Sequence, residues 1–295
     1  MNSCQTVKCL ITYLPNRLEN SIDIIVSIIM PTYNRASMLR LAIESVKKQS
    51  FKLWELLIID NESSDNTKDV VDSYTKDDSR IRYYFVKKNP QSGIAHYLNY
   101  GIEVARGRYI ARLDDDDEWY DHDKLSKQVE FLDENKNYVL VGGGAIMIGK
   151  NREEIFRFYK REQDFEIRNN ALYANPFWHN TVMFRKRTAK EIGGYKPIRF
   201  IEDWDLWLRL GKKGKFYNFR EYFSLYLNAG QNLSANNLRL ASRAILQHIK
   251  AYRKEYPNFR KAFILNFTQY LFSFTPTFFR SKTQNLLFYI KRNYF

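Results

Sequence analysis

The sequence predicts an α/β protein: a doubly wound, mainly parallel sheet with a helical appendage at its C-terminal end. Three observations point there. β-rich apolar runs alternate with stretches whose apolar residues recur at helical spacing, the pattern of βαβ units. Polar residues stand where those runs stop, as ligand-binding residues do at the carboxyl ends of parallel strands. Beyond about Ala235 the alternation gives way to a basic, aromatic, helical pattern.

Val26 to Thr32, VSIIMPT, is a continuous β-rich run of the kind buried on both faces of a parallel sheet. Leu39, Ala42, Ile43 and Val46 then recur at helical spacing, and Trp54 to Asp60, WELLIID, supplies a second strand. A Ser/Asp-rich helix start at Ser63 to Asp65 leads into a stripe of Val70, Val71 and Tyr74, followed by a strand near Ile81 to Val86. Ile94, Leu98, Gly101, Ile102 and Ala105 share one helical face, and Tyr109 to Asp114 is the next strand, running into four consecutive aspartates. Thr32, Asp60 and Asp114 thus converge at strand ends. Tyr138 to about Leu227 mixes glycines with short strands such as Thr181 to Lys186 and a helix from about Glu202. The expected organisation is an N-terminal extension (1–23), a catalytic domain (24–230) whose halves are 24–120 and 121–230, and a basic aromatic tail (231–295).

A chain of 295 residues with 44% hydrophobic and 16% aromatic content has the material for a packed core. The net charge of +14 is concentrated in the tail: from Arg239 to Phe295 there are eleven Lys or Arg against one acid, Glu255. Such a surplus suits an anionic membrane face, a nucleic acid or an acidic substrate. The two cysteines, Cys4 and Cys9, have no second pair or nearby histidine, so neither a zinc site nor a disulfide framework is indicated. Asn16, Arg17, Glu19 and Asn20 interrupt every short apolar run of the first 25 residues, which argues against a secretory signal and for a protein facing the cytoplasm.

The chemistry is written in Leu113 to Trp119, LDDDDEW. Unpaired aspartates at the mouth of a buried strand repel one another, so a cation belongs among them. A hard divalent ion, Mg²⁺ or Mn²⁺, bridging a diphosphate would neutralise both the carboxylates and a leaving group. The competing reading is a solvated acidic turn.

Four segments, PTYNR at Pro31 to Arg35, IIDNESSDNT at Ile58 to Thr67, GRYIARLDDDDEW at Gly107 to Trp119 and EDWDLWLRL at Glu202 to Leu210, resemble family 2 glycosyltransferases in order and spacing. The resemblance covers roughly Asp23 to Leu227. It implies the GT-A fold, of Rossmann-like type, and an inverting transfer from a nucleotide-diphosphate sugar to a glycan or lipid-linked acceptor in cell-surface polysaccharide or lipopolysaccharide synthesis. It places Pro31, Thr32, Tyr33, Asn34 and Arg35 beside the nucleotide sugar and makes Asp60 the carboxylate that accepts from the base, uracil above all. Asp114 matches the first aspartate of the DxD motif, near ribose and metal, and Asp116 the last, on the metal. Asp115 also borders the donor, and Asp115 and Asp117 leave the register open. Asp203 matches the catalytic base at a helix start, with Glu202 and Asp205 as rivals; His179, Glu202 and Trp204 fall on the acceptor side. In the competing reading Asp203 merely assists the helix N-terminus while Trp204 packs in the core. One departure stands out: Leu98 replaces an arginine of the family just before the DxD strand, with Asn99 retained.

Two other classes compete. A nucleic-acid binder is disfavoured by an acidic cleft and a basic surplus confined to the tail. A sugar nucleotidyltransferase should carry a glycine-rich loop after its first strand, and PTYNRAS contains no glycine. A non-catalytic sugar-nucleotide binder remains the alternative. In the tail, Phe263, Phe267, Tyr270, Leu271, Phe274 and Phe278 form a stripe at helical spacing that Pro276 would kink or end. The uncharged stretch from Ala262 to Phe279 carries polar residues and basic flanks, which favours lying on the cytoplasmic face of a membrane over crossing it; the competing reading is a helical cap on the catalytic domain or a dimer interface.

Overall fold

The computed structural model describes residues 23–228 and 237–275. Cys4, Cys9, Pro276 and Phe278, and with them most of the N-terminal extension and the end of the tail, lie outside the described residues.

The first half follows the predicted alternation: β1 (Val26–Thr32), α1 (Ala36–Lys47), β2 (Trp54–Asp60), α2 (Thr67–Thr75), β3 (Ile81–Phe85), α3 (Ile94–Val104) and β4 (Tyr109–Arg112). These strands pair in parallel in the order β3-β2-β1-β4. Each strand sends alternate side chains to opposite layers. Ile29, Leu57 and Ile59 meet Leu98 and Ile102 of α3 on one face. Ile28, Met30, Leu56 and Ile58 meet Leu39 and Ile43 of α1 and Val70 and Val71 of α2 on the other. In register Thr32 stands beside Asp60, so the polar ends of β1 and β2 face one crevice.

The second half completes the sheet with β5 (Glu118–Trp119), α4 (Lys124–Glu134), β6 (Tyr138–Ile148), β7 (Glu154–Phe158), α5 (Asp164–Asn170), β8 (Met183–Arg185), α6 (Lys186–Glu191), α7 (Glu202–Gly211) and β9 (Lys215–Leu227). Strand β8 pairs antiparallel with both β4 and β6, and β9 lies parallel to β6 and antiparallel to β5. The long β6 and β9 have no clear trace in the sequence. Gly142 to Gly144 interrupt the apolar run of β6, and β9 mixes Lys, Asn, Arg and Glu with aromatics. Gly143 is required there because a Cβ would lie 2.4 Å from the Phe223 ring of β9.

Beyond the sheet, α8 (Leu238–Ala251) and α9 (Phe259–Phe272) pack as a helical pair. They extend the core of α7: Tyr252 Oη donates to Asp205 Oδ1 (2.8 Å), Tyr256 Oη donates to the Leu208 carbonyl (2.8 Å), and Ile249 and Ala262 are fully buried. No helix among the described residues is long and apolar enough to cross a membrane.

At the opposite end of the strands, buried Glu55 accepts from Ser27 Oγ (2.7 Å) and from the Arg106 N–H (2.6 Å) and pairs with Arg82 (2.8 Å). The same Ser27 Oγ accepts from the Gly107 N–H (2.8 Å). The chain enters β4 so close to β1 that a Cβ on Gly107 would lie 2.6 Å from Ser27 N and 2.8 Å from the Ile25 carbonyl oxygen. Backbone atoms cannot yield as a side-chain tip does. Gly107→Ala should therefore cost about 1–3 kcal/mol, read as a lowered urea midpoint with unchanged slope.

Candidate active site

Three strand ends and the two segments that follow β4 and precede α7 make the site. Asp60 ends β2, almost fully buried, with Oδ1 accepting from the Ser63 N–H (2.8 Å) and Oδ2 from Tyr83 Oη (2.6 Å). Burial, the hydrogen bond to Asp60 and its charge all raise the Tyr83 pKa, so the phenol stays a donor. Thr32 ends β1 and donates to Asp115 Oδ2 (2.7 Å); Arg35 reaches Asp115 and Asp116, each at 2.8 Å. Asn34 takes a left-handed backbone (φ 52°), and its Oδ1 accepts from the Ser64 N–H at 2.7 Å. A cavity of about 520 Å³ opens here, lined by Thr32, Tyr33, Arg35, Lys88, Tyr97, Asp114 and Asp115 among others. The Lys88 ammonium lies 4.4 Å above the Tyr33 ring. A larger groove of about 880 Å³ runs between α1 and the β5 and β9 strands, and none of Asp114 to Asp117 lines it.

Deeper in, Arg112 is buried at the end of β4 and donates to Asp114 Oδ1 (3.0 Å), with its guanidinium 5.8 Å from the Tyr195 ring centre. His179 stands in a single 3₁₀ turn, Nε2 2.8 Å from Asp114 Oδ2 and Nδ1 4.0 Å from Asp203 Oδ2. Asp203, in the first turn of α7, accepts from Asn175 Nδ2 (3.0 Å) and from the Trp204 N–H (2.7 Å). Asp117 is buried between Asn180 Nδ2 (2.5 Å) and the Leu227 N–H (3.0 Å).

The electrostatics divide these acids. Burial pushes Asp114 upward, but Arg112 and His179 outweigh it and hold the carboxyl well below the usual range. Burial raises Asp115, against Arg35 and Thr32, to about 6. Burial and the neighbouring carboxylates also raise Asp116 and, further, Asp117. Burial and Asp203 push Glu202 up to about 7. The cluster carries more negative charge than Arg35 and Arg112 balance.

One carboxylate oxygen each of Asp114 and Asp117 and one ring nitrogen of His179 lie within 4.8 Å of one another. His179 Nε2 is buried there and, although close to Asp114, lacks an aligned hydrogen bond. Two carboxylates and an imidazole at a charge-deficient point form a donor set able to hold a divalent cation.

Residues 27–193 match Glycosyl transferase family 2. The chain belongs to that family. The Escherichia coli UDP-Glc:alpha-D-GlcNAc-diphosphoundecaprenol beta-1,3-glucosyltransferase WfgD is 38% identical over 223 residues, 75% of this chain and 84% of that protein. Among solved structures, Staphylococcus aureus TarS 1-349 in complex with UDP-GlcNAc superposes with a TM-score of 0.61 at 18% identity, over 89% of this chain and 75% of that one. The Pyrobaculum calidifontis mannosyltransferase PcManGT, in complex with GDP-Man and Mn²⁺, does so with a TM-score of 0.60 at 20% identity, over 82% and 68%. Those likenesses carry the GT-A fold, and membership in family 2 makes the chain a glycosyltransferase.

Within the family 2 framework, the expected residues divide. Pro31, Thr32, Tyr33, Arg35, Asp114 and Asp115 share the nucleotide-sized cavity, with Asp60 at the adjoining strand end. Asn34 instead ties the β1 and β2 loops together. Three expected residues are engaged elsewhere. Asp116 pairs with Arg35, and the group that could hold a metal contains Asp117 beside Asp114 and His179. Asn99 is occupied by the Tyr195 backbone, accepting from its N–H (2.7 Å) and donating to its carbonyl (2.8 Å). Trp204 faces the core, its indole N–H bonded to the Ala171 carbonyl (2.9 Å), because that side of α7 is the packed side. Asp203 lies beyond the matched stretch, so its place in the site rests on geometry.

The sequence reading assigns no role to Arg112, which alternates with the core face of its strand, and Asn175 and Asn180 escape it. For Arg112 a signal existed: a charged residue at a core position of a strand needs a buried partner, and the aspartates follow at once.

A cation competes with protons for Asp114, Asp117 and His179. At about 100 times its Kd, Mn²⁺ should raise Tm by about 5–10 °C at pH 7.5. The rise should shrink as pH falls, because burial raises Asp117 and because Asp114, against the opposing effect of burial, raises His179, so both hold protons more tightly than free side chains. An undiminished shift in Asp117→Asn, by differential scanning fluorimetry, would rule out this donor set.

Proposed function

We propose that this chain transfers a sugar from a uridine diphosphate donor to a glycan or lipid-linked acceptor, with inversion, in cell-surface polysaccharide or lipopolysaccharide synthesis. The observation that carries the reading is the junction at His179: one imidazole touches Asp114 of the donor cavity and lies 4.0 Å from Asp203, so a leaving-group site and a carboxylate base share one cleft. The names of WfgD and of the TarS complex, both with uridine diphosphate sugars, support the donor class. WfgD's diphosphoundecaprenol acceptor supports a lipid-linked one.

The residues divide the work as follows. Asp60, oriented by Tyr83 and Ser63, accepts a hydrogen bond from the uracil ring. Thr32 and Tyr33 border the nucleoside. Asp114, Asp117 and His179 would hold a divalent cation, for which this oxygen-rich set with one imidazole suits Mn²⁺. When bound, that ion neutralises the diphosphate. Arg112 fixes Asp114 from beneath. Asp203, held by Asn175 and the Trp204 N–H, takes the proton of the acceptor hydroxyl as its oxygen attacks the anomeric carbon from the side opposite the diphosphate. The new carbon–oxygen bond forms as the bond to the diphosphate breaks through an oxocarbenium-like state. Glu202, pushed up to about 7 by burial and Asp203, lies beside the base and changes charge near neutrality.

Two measurements test this. With the donor identified by release of UDP from a panel of sugar nucleotides, Asp203→Asn should lower kcat by about 10²–10⁴-fold while the donor Kd moves less than about twofold. The Asn side chain still accepts the Trp204 N–H, so the helix start is preserved; turnover close to wild type would remove Asp203 from the base role. The product of an α-configured donor should carry a β linkage by NMR, and an α linkage would exclude direct displacement.

A further inference from the structure

Helix α9 carries no charged residue between Ala262 and Phe272, on any face. A helix packed on one side of a domain ordinarily turns its large apolar residues to the core and its polar ones to solvent. Yet among the described residues only one side of α9 is covered. Its inward residues Ala262, Asn266 and Ser273 are buried, while Ile264, Phe267, Leu271 and Phe274 are 66%, 41%, 51% and 51% exposed. These four fall within a narrow sector of the helix, because steps of three, four and three residues return nearly to the same side. Phe259, Phe263 and Leu265 pack against the core, and four further large apolar side chains face outward, more than a solvent-facing side carries.

Charge identifies the cover. Arg239 and Arg243 on α8 and Arg260 and Lys261 at the start of α9 are exposed, and Arg239 lies 4.2 Å over the Phe274 ring, at one end of the stripe. The one acid in residues 237–275, Glu255, lies 3.6 Å from Lys212. An apolar strip edged by cations and free of acids complements an anionic bilayer surface. It does not complement a second copy, which would bring the same four cations against these.

From this the geometry points to a membrane-docking face, formed by Ile264, Phe267, Leu271 and Phe274 with Arg239 at its edge, that seats the enzyme flat on an anionic lipid surface. The docking helix is stitched to the acceptor side of the site. Asn266 Nδ2 donates to the Leu172 and Tyr173 carbonyls (3.4 and 3.2 Å), just before Asn175, which holds Asp203. The inference extends the lipid-linked acceptor reading and is tested independently of it.

The test is flotation of the full chain with phosphatidylcholine vesicles containing about 30% phosphatidylglycerol, at about 0.1 M NaCl. Wild type should float with these vesicles and not with pure phosphatidylcholine, and about 0.5 M salt should release most of it. The double variant Phe267→Glu, Leu271→Glu should bind at least about tenfold more weakly, since two buried apolar anchors become anions. Its UDP release from the donor and its Tm should be unchanged. Equal flotation of variant and wild type would overturn the proposal. So would absent flotation of the wild type: a lower variant Tm would then assign the face to residues 276–295, and a dimer by sedimentation that the variant abolishes would assign it to a second copy. Flotation without turnover of any donor would instead overturn the transferase reading and leave the docking face standing.

Discussion

The structure is organised around one electrostatic problem: four consecutive carboxylates at the end of a buried strand. Water cannot solvate them fully, so the protein supplies cations from three directions. Arg112 approaches Asp114 from within β4, Arg35 reaches Asp115 and Asp116 from the loop after β1, and His179 arrives from the turn before β8. Each partner comes from a different element, and so the relative placement of β1, β4 and β8 is fixed as much by charge as by core packing. What these side chains leave unbalanced is the capacity of the site for a further positive charge. The chemistry follows from that deficit.

The core does complementary work. Ile28 and Ile29 point to opposite layers, so α1 and α3 are clamped on either side of β1, and the loops leaving β1 and β2 are held against each other by Asn34. Neither loop has freedom to drift from the acidic turn. On the far side, the Asp205 carboxylate is shared between Arg209 (2.7 Å) and Tyr252 (2.8 Å), which locks α7 to α8 behind the proposed base.

Much of this was legible in the amino-acid order, for a physical reason. A parallel strand covered on both faces must be apolar throughout, so VSIIMPT and WELLIID announce themselves, and the polar residue that ends each run marks the crevice. The second half is quieter. Strand β6 needs glycines where β9 crosses close, and β9 carries polar residues on a partly covered face, so neither reads as a strand by composition. Within the site, the acidic turn was visible but its register was not. Which of four adjacent aspartates faces which partner depends on turn geometry and on residues far along the chain, such as Asn180 for Asp117. Asn99 and Trp204 misled for the converse reason, since a polar or aromatic side chain near a motif is as readily used to hold backbone or fill a core.

The long reach of those contacts has a consequence for how the protein is made. Asp117 is separated by 110 residues from Leu227, whose N–H it accepts, and Trp119 pairs with Ser224 at the edge of the sheet. A chain emerging from the ribosome has β1 to β4 available to pair before β8, the further partner of β4, has been made. Its acidic turn has no finished shape until the last residues of β9 arrive and close the sheet over it. The strands that line the donor cavity are therefore synthesised well before the residue that anchors Asp117. An incomplete chain would present a crevice with unanchored acids, and the geometry on which catalysis depends is acquired among the last steps of folding.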